Sequence, residues 1–418
     1  MVGDMGSGSR PCNGVGDEII AQRAEPVAPL CRGPAFIRLG TKYRRQSLLM
    51  TGFDVSGMNM AKALSDASGS RPGLSGGSAP PVFEPPGRPG GEYSVKRAYA
   101  AIDLGTNNCR LLIARPTSDG FVVVDSFSRI VRLGEGLART GNLNDAAIER
   151  AVGALAICAD KMRRRPVHLA RSVATEACRR AANGRDFVGR VLRETGIALD
   201  IISPAEEARL AVMGCHALLE PGDGPALIFD IGGGSTELIL VDTGRVSRQG
   251  HPDILSWYSA PWGVVSLSEH EEGEAETAEG RLAAYRRMRE LVQQSFADFA
   301  LSLPRGISPL RLLGTSGTVT TLGSYFLNLP VYDRRAVDGL MVGSEQMRAI
   351  CRELAGMSCA ERSLLPCIGK DRADLVVAGC AILEAIIDLW PAERLGVADR
   401  GIREGILRGM MPGGMGRA

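Results

Sequence analysis

Leu227-Ile228-Phe229-Asp230-Ile231-Gly232-Gly233-Gly234-Ser235-Thr236-Glu237-Leu238-Ile239-Leu240 is an apolar run that ends in Asp230, passes through three glycines and resumes as a second apolar run. That order reads as strand, tight turn, strand, with glycines letting backbone N–H groups approach an anion closely. Upstream the same plan recurs as Tyr99-Ala100-Ala101-Ile102-Asp103-Leu104-Gly105-Thr106-Asn107-Asn108-Cys109-Arg110-Leu111-Leu112-Ile113. One glycine-rich turn carries little information. Two strand–Asp–Gly–strand hairpins imply two similar half-domains, each offering a phosphate loop to a shared cleft.

The chain has 418 residues and is 44% hydrophobic, enough for two domains with ordinary cores. A formal net charge of +2 gives no global drive toward nucleic acid or a membrane surface, so any polyanion site must be local. The ten cysteines show no CxxC pair and no Cys/His zinc spacing, which points to reduced thiols in a cytoplasmic protein. No apolar run reaches the roughly 18 residues a membrane span needs. The N-terminus lacks the charged-then-apolar order of a signal peptide, and export is not expected.

Residues 1–94 read as a low-complexity tail. Ser68 to Gly91 is rich in Gly, Pro and Ser and cannot bury enough side chain to offset its ordering entropy. Phe36 to Met50 has the composition of a short amphipathic helix and is given no role. Strands are expected at Ala98–Asp103, Cys109–Ala114 and Phe121–Arg129. A helix follows over 146–163 with Asn144 or Asp145 as N-cap, then strands at Val167–Ala174 and Leu199–Ile202 with a helix between. Ser203 and Pro204 open a helix running to Leu219. The second half repeats the plan: strands at Leu227–Asp230 and Glu237–Val241, a polar stretch through Glu269–Glu279, and a long helix over 281–303. A strand at Leu310–Leu313 meets Gly314-Thr315-Ser316-Gly317-Thr318 and a helix. Helices over 344–355 and 373–389, a strand at Leu395–Ala398 and a segment over 402–410 close the chain. The fold class is therefore α/β, with two βββαβαβα domains flanking a cleft, over 95–222 and 223–398. A C-terminal helix within 399–418 would pack back on the cleft or the first domain.

Asp103-Leu104-Gly105-Thr106-Asn107, Asp230 to Glu237 and Gly314 to Thr318 resemble the phosphate-1, phosphate-2 and adenosine-type motifs of the actin-like (ribonuclease H-like) ATPase superfamily. More narrowly, the chain resembles the exopolyphosphatase/guanosine pentaphosphate phosphohydrolase (Ppx/GppA) family. That likeness rests on Asn107-Asn108-Cys109-Arg110, Ala174-Thr175-Glu176-Ala177-Cys178-Arg179-Arg180, Ile202 to Arg209 and Arg400-Gly401-Ile402-Arg403-Glu404-Gly405, and covers about residues 97–411.

Asp103 and Asp230 sit at strand ends where a phosphate-bound Mg²⁺ (or Mn²⁺) would suit hard carboxylate oxygens; capping the next turn is the plainer use of such an Asp. Gly105, Thr106, Asn107, Asn108, Gly232, Gly233, Gly234 and Ser235 can donate to phosphate oxygens, and three glycines in a row exceed what a hairpin needs. Arg110 offers a planar fork to phosphate at a position the family uses for that contact, although strand alternation alone fits a solvated Arg equally well. The resemblance assigns Glu176 to activating the attacking water; a helix-start Glu complementing the macrodipole is the competing reading. Glu206 and Glu207 point in different directions, and the family pattern favours Glu207 for metal or water contact. Arg179, Arg180 and Arg185, or Arg163 to Arg165, could guide a polyanion by local field, or be solvated helix faces. Gly314, Thr315, Ser316 and Gly317 open a helix after a strand, a geometry that binds anions through N–H groups. The four histidines show no metal spacing.

The resemblance implies a phosphoanhydride hydrolase releasing terminal orthophosphate from polyphosphate or guanosine pentaphosphate (pppGpp), and, since family members often pair as dimers, a homodimer. Longer family members carry a further C-terminal helical domain, for which this chain has no room after Gly405; shorter chains or the alarmone are the expected substrates. A small-molecule kinase of the same superfamily, a non-catalytic polyphosphate or alarmone sensor, and a filament-forming actin relative are the rival readings.

Overall fold

Ala98–Leu104 (β1) is buried along nearly its whole length, which a strand achieves only with an element on each face of its sheet. The structure is a computed structural model that describes residues 97–411 apart from 119, 223, 247–250, 272 and 304–309. The expected N-terminal tail, its Phe36–Met50 segment and the chain after 411 lie outside the described residues.

In the first lobe β1 pairs with Asn108–Thr117 (β2), which pairs with Gly120–Ile130 (β3). A short helix at Leu137–Thr140 (α1) leads into Asp145–Arg164 (α2), whose N-cap Asn144 accepts from Ala147 N. The chain returns as Val167–Ala174 (β4), Glu176–Arg180 (α3), Gly184–Thr195 (α4) and Leu199–Ile201 (β5). The sheet order is β3-β2-β1-β4-β5. One face, carrying Ala100, Ile102 and Leu104, packs with α2 and α4. The other, carrying Tyr99, Ala101 and Leu112, meets the helices that join the lobes.

Pro204–Cys215 (α5) is the first of these, capped by Ser203, whose hydroxyl accepts from Glu206 N. Its Leu210 packs on the first sheet, while Ala208, Ala211 and Val212 pack on the second. A single 3₁₀ turn at His216–Leu218 follows, where a continuous helix to Leu219 is expected from the sequence.

The second lobe holds Pro225–Ile231 (β6), Thr236–Val246 (β7), Pro252–Ala260 (β8), Val264–His270 (α6), Ala278–Ser302 (α7), Arg311–Thr315 (β9) and Gly317–Phe326 (α8). Arg334–Val337 (α9), Met341–Gly343 (β10), Ser344–Gly356 (α10), Cys359–Ser363 (α11), Val376–Leu389 (α12) and Arg394–Ala398 (β11) complete it. Its six strands run β10-β11-β9-β6-β7-β8. The sequence reading leaves out β8 and α6, because the strand starts at a proline, mixes polar and apolar residues, and sits in a polar stretch. Phe229 of β6 is fully buried in the core with Phe296 and Phe299 of α7, together with residues of α10 and α12.

Ile402–Met410 (α13) then crosses back and packs on α5 and β1. The approach is at backbone contact: a Cβ at Gly214 would stand 1.9 Å from Gly401 O, and one at Gly405 2.0 Å from Leu210 O. Only glycine allows these helices so close. The fold is thus α/β with two actin-like domains, and α5 and α13 fix the cleft between them.

Candidate active site

The two hairpins are built alike. Gly105 N donates to Asn108 O in the first and Gly232 N to Ser235 O in the second, each at 2.9 Å. Register sets Asp103 opposite Arg110 and Asp230 opposite Glu237, and cross-strand partners share a face of the sheet. A loop after β3 backs the first hairpin: Val131 N and Arg132 N donate to Asn107 O, and Gly134 N to Thr106 O. Gly263, at the start of α6, backs the second, since a Cβ there would lie 2.5 Å from Gly234 N.

The loops meet across the cleft. A Cβ on Gly233 would lie 3.0 Å from Asn107 N, and one on Gly234 2.7 Å from Thr106 Oγ1 and 3.0 Å from Glu176 Cγ. The cavity around them has a volume of about 130 Å³. Of the residues expected from the sequence, Asp103, Gly105, Thr106, Asn107, Asn108, Arg110, Glu176, Glu207, Asp230, Gly232, Gly233, Gly234, Ser235, Thr315, Ser316 and Gly317 all line it. Arg110 reaches from the first lobe to the second, with Nη2 3.5 Å from where a Gly317 Cβ would be.

Gly314 does not line the cavity. It sits in β9 where a Cβ would strike the Phe229 ring at 2.6 Å, so this glycine serves packing rather than phosphate. The neighbouring hydroxyls are occupied too: Thr315 Oγ1 donates to Arg400 O and Ser316 Oγ to Ile231 O, both at 2.7 Å. What this turn offers a ligand is its backbone.

Arg179 is the other revision. Instead of facing solvent to guide a polyanion, it turns inward between two carboxylates. Nη2 donates to Glu176 Oε2 at 2.9 Å and Nη1 to Glu207 Oε2 at 2.7 Å, with a further bond to Ile202 O. Arg180 stands 3.8 Å from Glu176 Oε1, and Arg185 is exposed. Glu206 lies outside the cavity and pairs with Arg171 and Arg209.

Sequence reasoning missed five charged lining groups: Glu237, Arg372, Asp399, Arg400 and Arg403. Glu237 is buried and accepts from Ser235 Oγ at 2.8 Å and Ser259 Oγ at 2.9 Å. Arg372 enters from the loop before α12, and Arg403 from the first turn of α13. Arg403 stands in the quoted Arg400–Gly405 motif, so its signal was present; Arg372 had no local pattern to mark it.

Burial pushes the Asp103 carboxyl above its ordinary value, with Arg110 and Arg403 pulling it part of the way back. Burial, then Glu237 and Asp103, push Asp230 up to about 7. Burial and Glu237 also drive Glu207 well upward against the pull of Arg179. Burial raises Glu237 despite its two serine donors. Asp103 Oδ1 and Asn107 Oδ1 are buried with no hydrogen-bond partner. Carboxylates crowded in low dielectric, one with an orphaned oxygen, are what a hard divalent cation would neutralise. Among the described residues no three His, Cys, Asp or Glu side chains are grouped closely enough to hold an ion directly. The fit is therefore to a cation that keeps waters and shares phosphate oxygens, as Mg²⁺ does.

The fold and the two glycine turns facing across the cleft place the chain in the actin-like α/β class. The Ppx/GppA phosphatase family profile matches residues 112–413. The chain is 31% identical over 322 residues to Exopolyphosphatase 2 of Mycobacterium tuberculosis, covering 73% of this chain and 96% of that protein. It is 28% identical over 319 residues to the guanosine-5'-triphosphate,3'-diphosphate pyrophosphatase of Aeromonas hydrophila, covering 75% of this chain and 59% of that longer protein. A crystal structure of the Aquifex aeolicus member of the Ppx/GppA family superposes with a TM-score of 0.60 at 27% identity, covering 74% of this chain and 96% of the other. The chain belongs to the Ppx/GppA phosphatase family and is a hydrolase.

Proposed function

We propose that this enzyme releases terminal orthophosphate from inorganic polyphosphate or guanosine pentaphosphate by in-line attack of a water that Glu176 activates. The observation that carries the reading is the apposition of Glu176 with Gly234, at the point where loops of both lobes converge. A terminal phosphate seated there takes N–H donors from both turns and the Arg110 fork. Arg179 fixes Oε2 of Glu176, and Oε1, which Arg180 approaches only to 3.8 Å, is the oxygen that would hold the water and accept its proton. Mg²⁺ or Mn²⁺ would sit near Asp103, Asp230 and Glu207, reaching these carboxylates largely through its own waters, and would offset phosphate charge when bound. Neither loop contains a group that demands a base or sugar, which suits both substrates.

A cytoplasmic setting fits the eight described cysteines, all free thiols. Among the described residues no helix is long and apolar enough to cross a membrane.

The test is orthophosphate release from polyphosphate, pppGpp and ATP with Mg²⁺, for wild type and Glu176→Ala. The expected result is release by wild type and a loss on the order of 10²-fold or more in the variant. Silence of the wild type on all three, with binding retained, would replace the enzyme reading with a sensor.

A further inference from the structure

Beside the catalytic cavity lies a second, larger hollow, of about 790 Å³ against about 130 Å³. The two adjoin, with Asn108 and Arg372 lining both. A substrate larger than its terminal phosphate must lay its remainder elsewhere, and this groove lies alongside the cavity at Asn108, the last residue of the first loop.

Its charge is distinctive. Arg132 is neutralised by Asp374 at 2.7 Å and Arg150 by Glu135 at 2.6 Å. Arg129, Lys370 and Arg372 have no carboxylate partner among the described residues. Arg129 instead lies over the Phe127 ring, 5.4 Å from its centroid, and Arg372 donates to Thr321 Oγ1 at 2.8 Å. Against these three cations stands the side chain of Asp371. The cations come from both lobes: Arg129 from β3, Lys370 and Arg372 from the loop before α12. The groove wall contains no aromatic ring, and its apolar members are Ile130 and Ile368. A nucleobase would find no stacking platform, whereas a chain of phosphates would find cations along its path.

We infer that this groove holds the distal phosphates of a linear polyphosphate, with Arg129 and Lys370 setting chain-length specificity. The inference rests on the hydrolase reading above and sharpens it, because it favours the linear polymer over the alarmone. It also reverses the expectation of short chains: grip on a long chain needs no further domain if the two lobes supply it.

The experiment compares kcat/KM for tripolyphosphate and for long-chain polyphosphate, in wild type and in the Arg129→Ala/Lys370→Ala double variant. Wild type is expected to prefer the long chain. The double variant should lose that preference by ~10-fold, through KM and most strongly at low salt, where exposed charges are least screened. Arg129→Lys should restore much of it. An unchanged long-to-short ratio overturns the inference, and so does a parallel fall for both substrates, which would mark general damage to the lobes. A selective loss on pppGpp would place the nucleoside end in the groove and equally overturn it. Retention of long-chain polyphosphate by the Glu176→Ala protein, with and without the double change, reads the groove independently of hydrolysis. If wild type hydrolyses nothing, the hydrolase reading fails alone, and loss of retention in the double variant still supports the groove.

Discussion

The two phosphate hairpins share a hydrogen-bond plan but differ in what faces the Asp. In the first, Asp103 stands opposite Arg110, and the hairpin carries its own counter-charge. In the second, Asp230 stands opposite Glu237, and burial with that neighbour pushes Asp230 up to about 7. They also differ in room. A Cβ on Gly105 would meet nothing nearer than Asn108 O at 3.6 Å, an ordinary contact, while Gly232, Gly233 and Gly234 all face atoms at 3.0 Å or less. Under the proposed function, the first hairpin would meet a phosphate with side chains and the second with bare backbone beside two buried carboxyls. Similar motifs thus do unequal work.

The largest expected effect breaks the comparison on room. Gly234→Ala drives a methyl into Thr106 and Glu176, and misplacement of a catalytic group by about 1 Å costs ~10²-fold in kcat. Gly105→Ala should stay within a few-fold. Equal losses in a phosphate-release assay would mean the loops are not packed against one another as described.

Next comes Arg179, which ties Glu176 to Glu207. Arg179→Gln leaves Glu176 and Glu207 without their shared partner, at a cost of roughly 3 kcal/mol in unfolding free energy. kcat should drop by about tenfold or more through loss of orientation, with Arg179→Lys intermediate because one ammonium cannot span both oxygens. Chemical denaturation and the kcat-against-KM split check both parts.

The charge difference gives a pH test on metal-free protein. Asp230 titrates near 7 folded and near 3.8 unfolded, so between those values the native state holds a proton the unfolded chain has released. Stability therefore falls as pH rises through that window. Asp230→Asn should be more stable than wild type by about 1–2 kcal/mol at pH 8 and gain little at pH 4. The matching Asp103→Asn change should gain less, since Arg110 and Arg403 offset its burial. Melting temperatures across pH with a chelator present decide this.

The smallest effect separates neighbours on α5. Glu206→Gln removes ion pairs to Arg209 and Arg171 that hold its carboxyl below the ordinary value. It should cost no more than about 1 kcal/mol at pH 7, and the difference should vanish as pH falls below 4.5, where the wild-type carboxylate takes up its proton. Activity should be unchanged, whereas Glu207→Gln should abolish most of it.

Much of this was legible in the chain. Apolar runs flanking Asp103 and Asp230 mark buried strands, the intervening glycines mark turns, and Ser203-Pro204 and Asn144 announce helix starts that their caps bear out. Other features were not. Glu237 is visible in its motif, but its partner Ser259 lies on β8, a strand whose leading proline and mixed polarity hide it. Arg179 sits in a helix of five residues, too short for periodicity to show which arginine turns inward. Gly314 looks like a member of a phosphate turn because a sequence cannot tell a glycine that admits a ligand from one that admits the Phe229 ring. Local pattern reveals elements, and packing decides what each residue is for.

The central claim is that water held by Glu176 attacks a phosphate seated between the two hairpins. The most direct measurement is turnover of polyphosphate with Mg²⁺ in oxygen-labelled water, following label in released orthophosphate for wild type and Glu176→Gln. The account predicts one labelled oxygen per phosphate released by wild type and a rate lower by on the order of 10²-fold or more in the variant. Label appearing at an undiminished rate without the Glu176 carboxylate, or phosphate passing to an acceptor with no label, would contradict it.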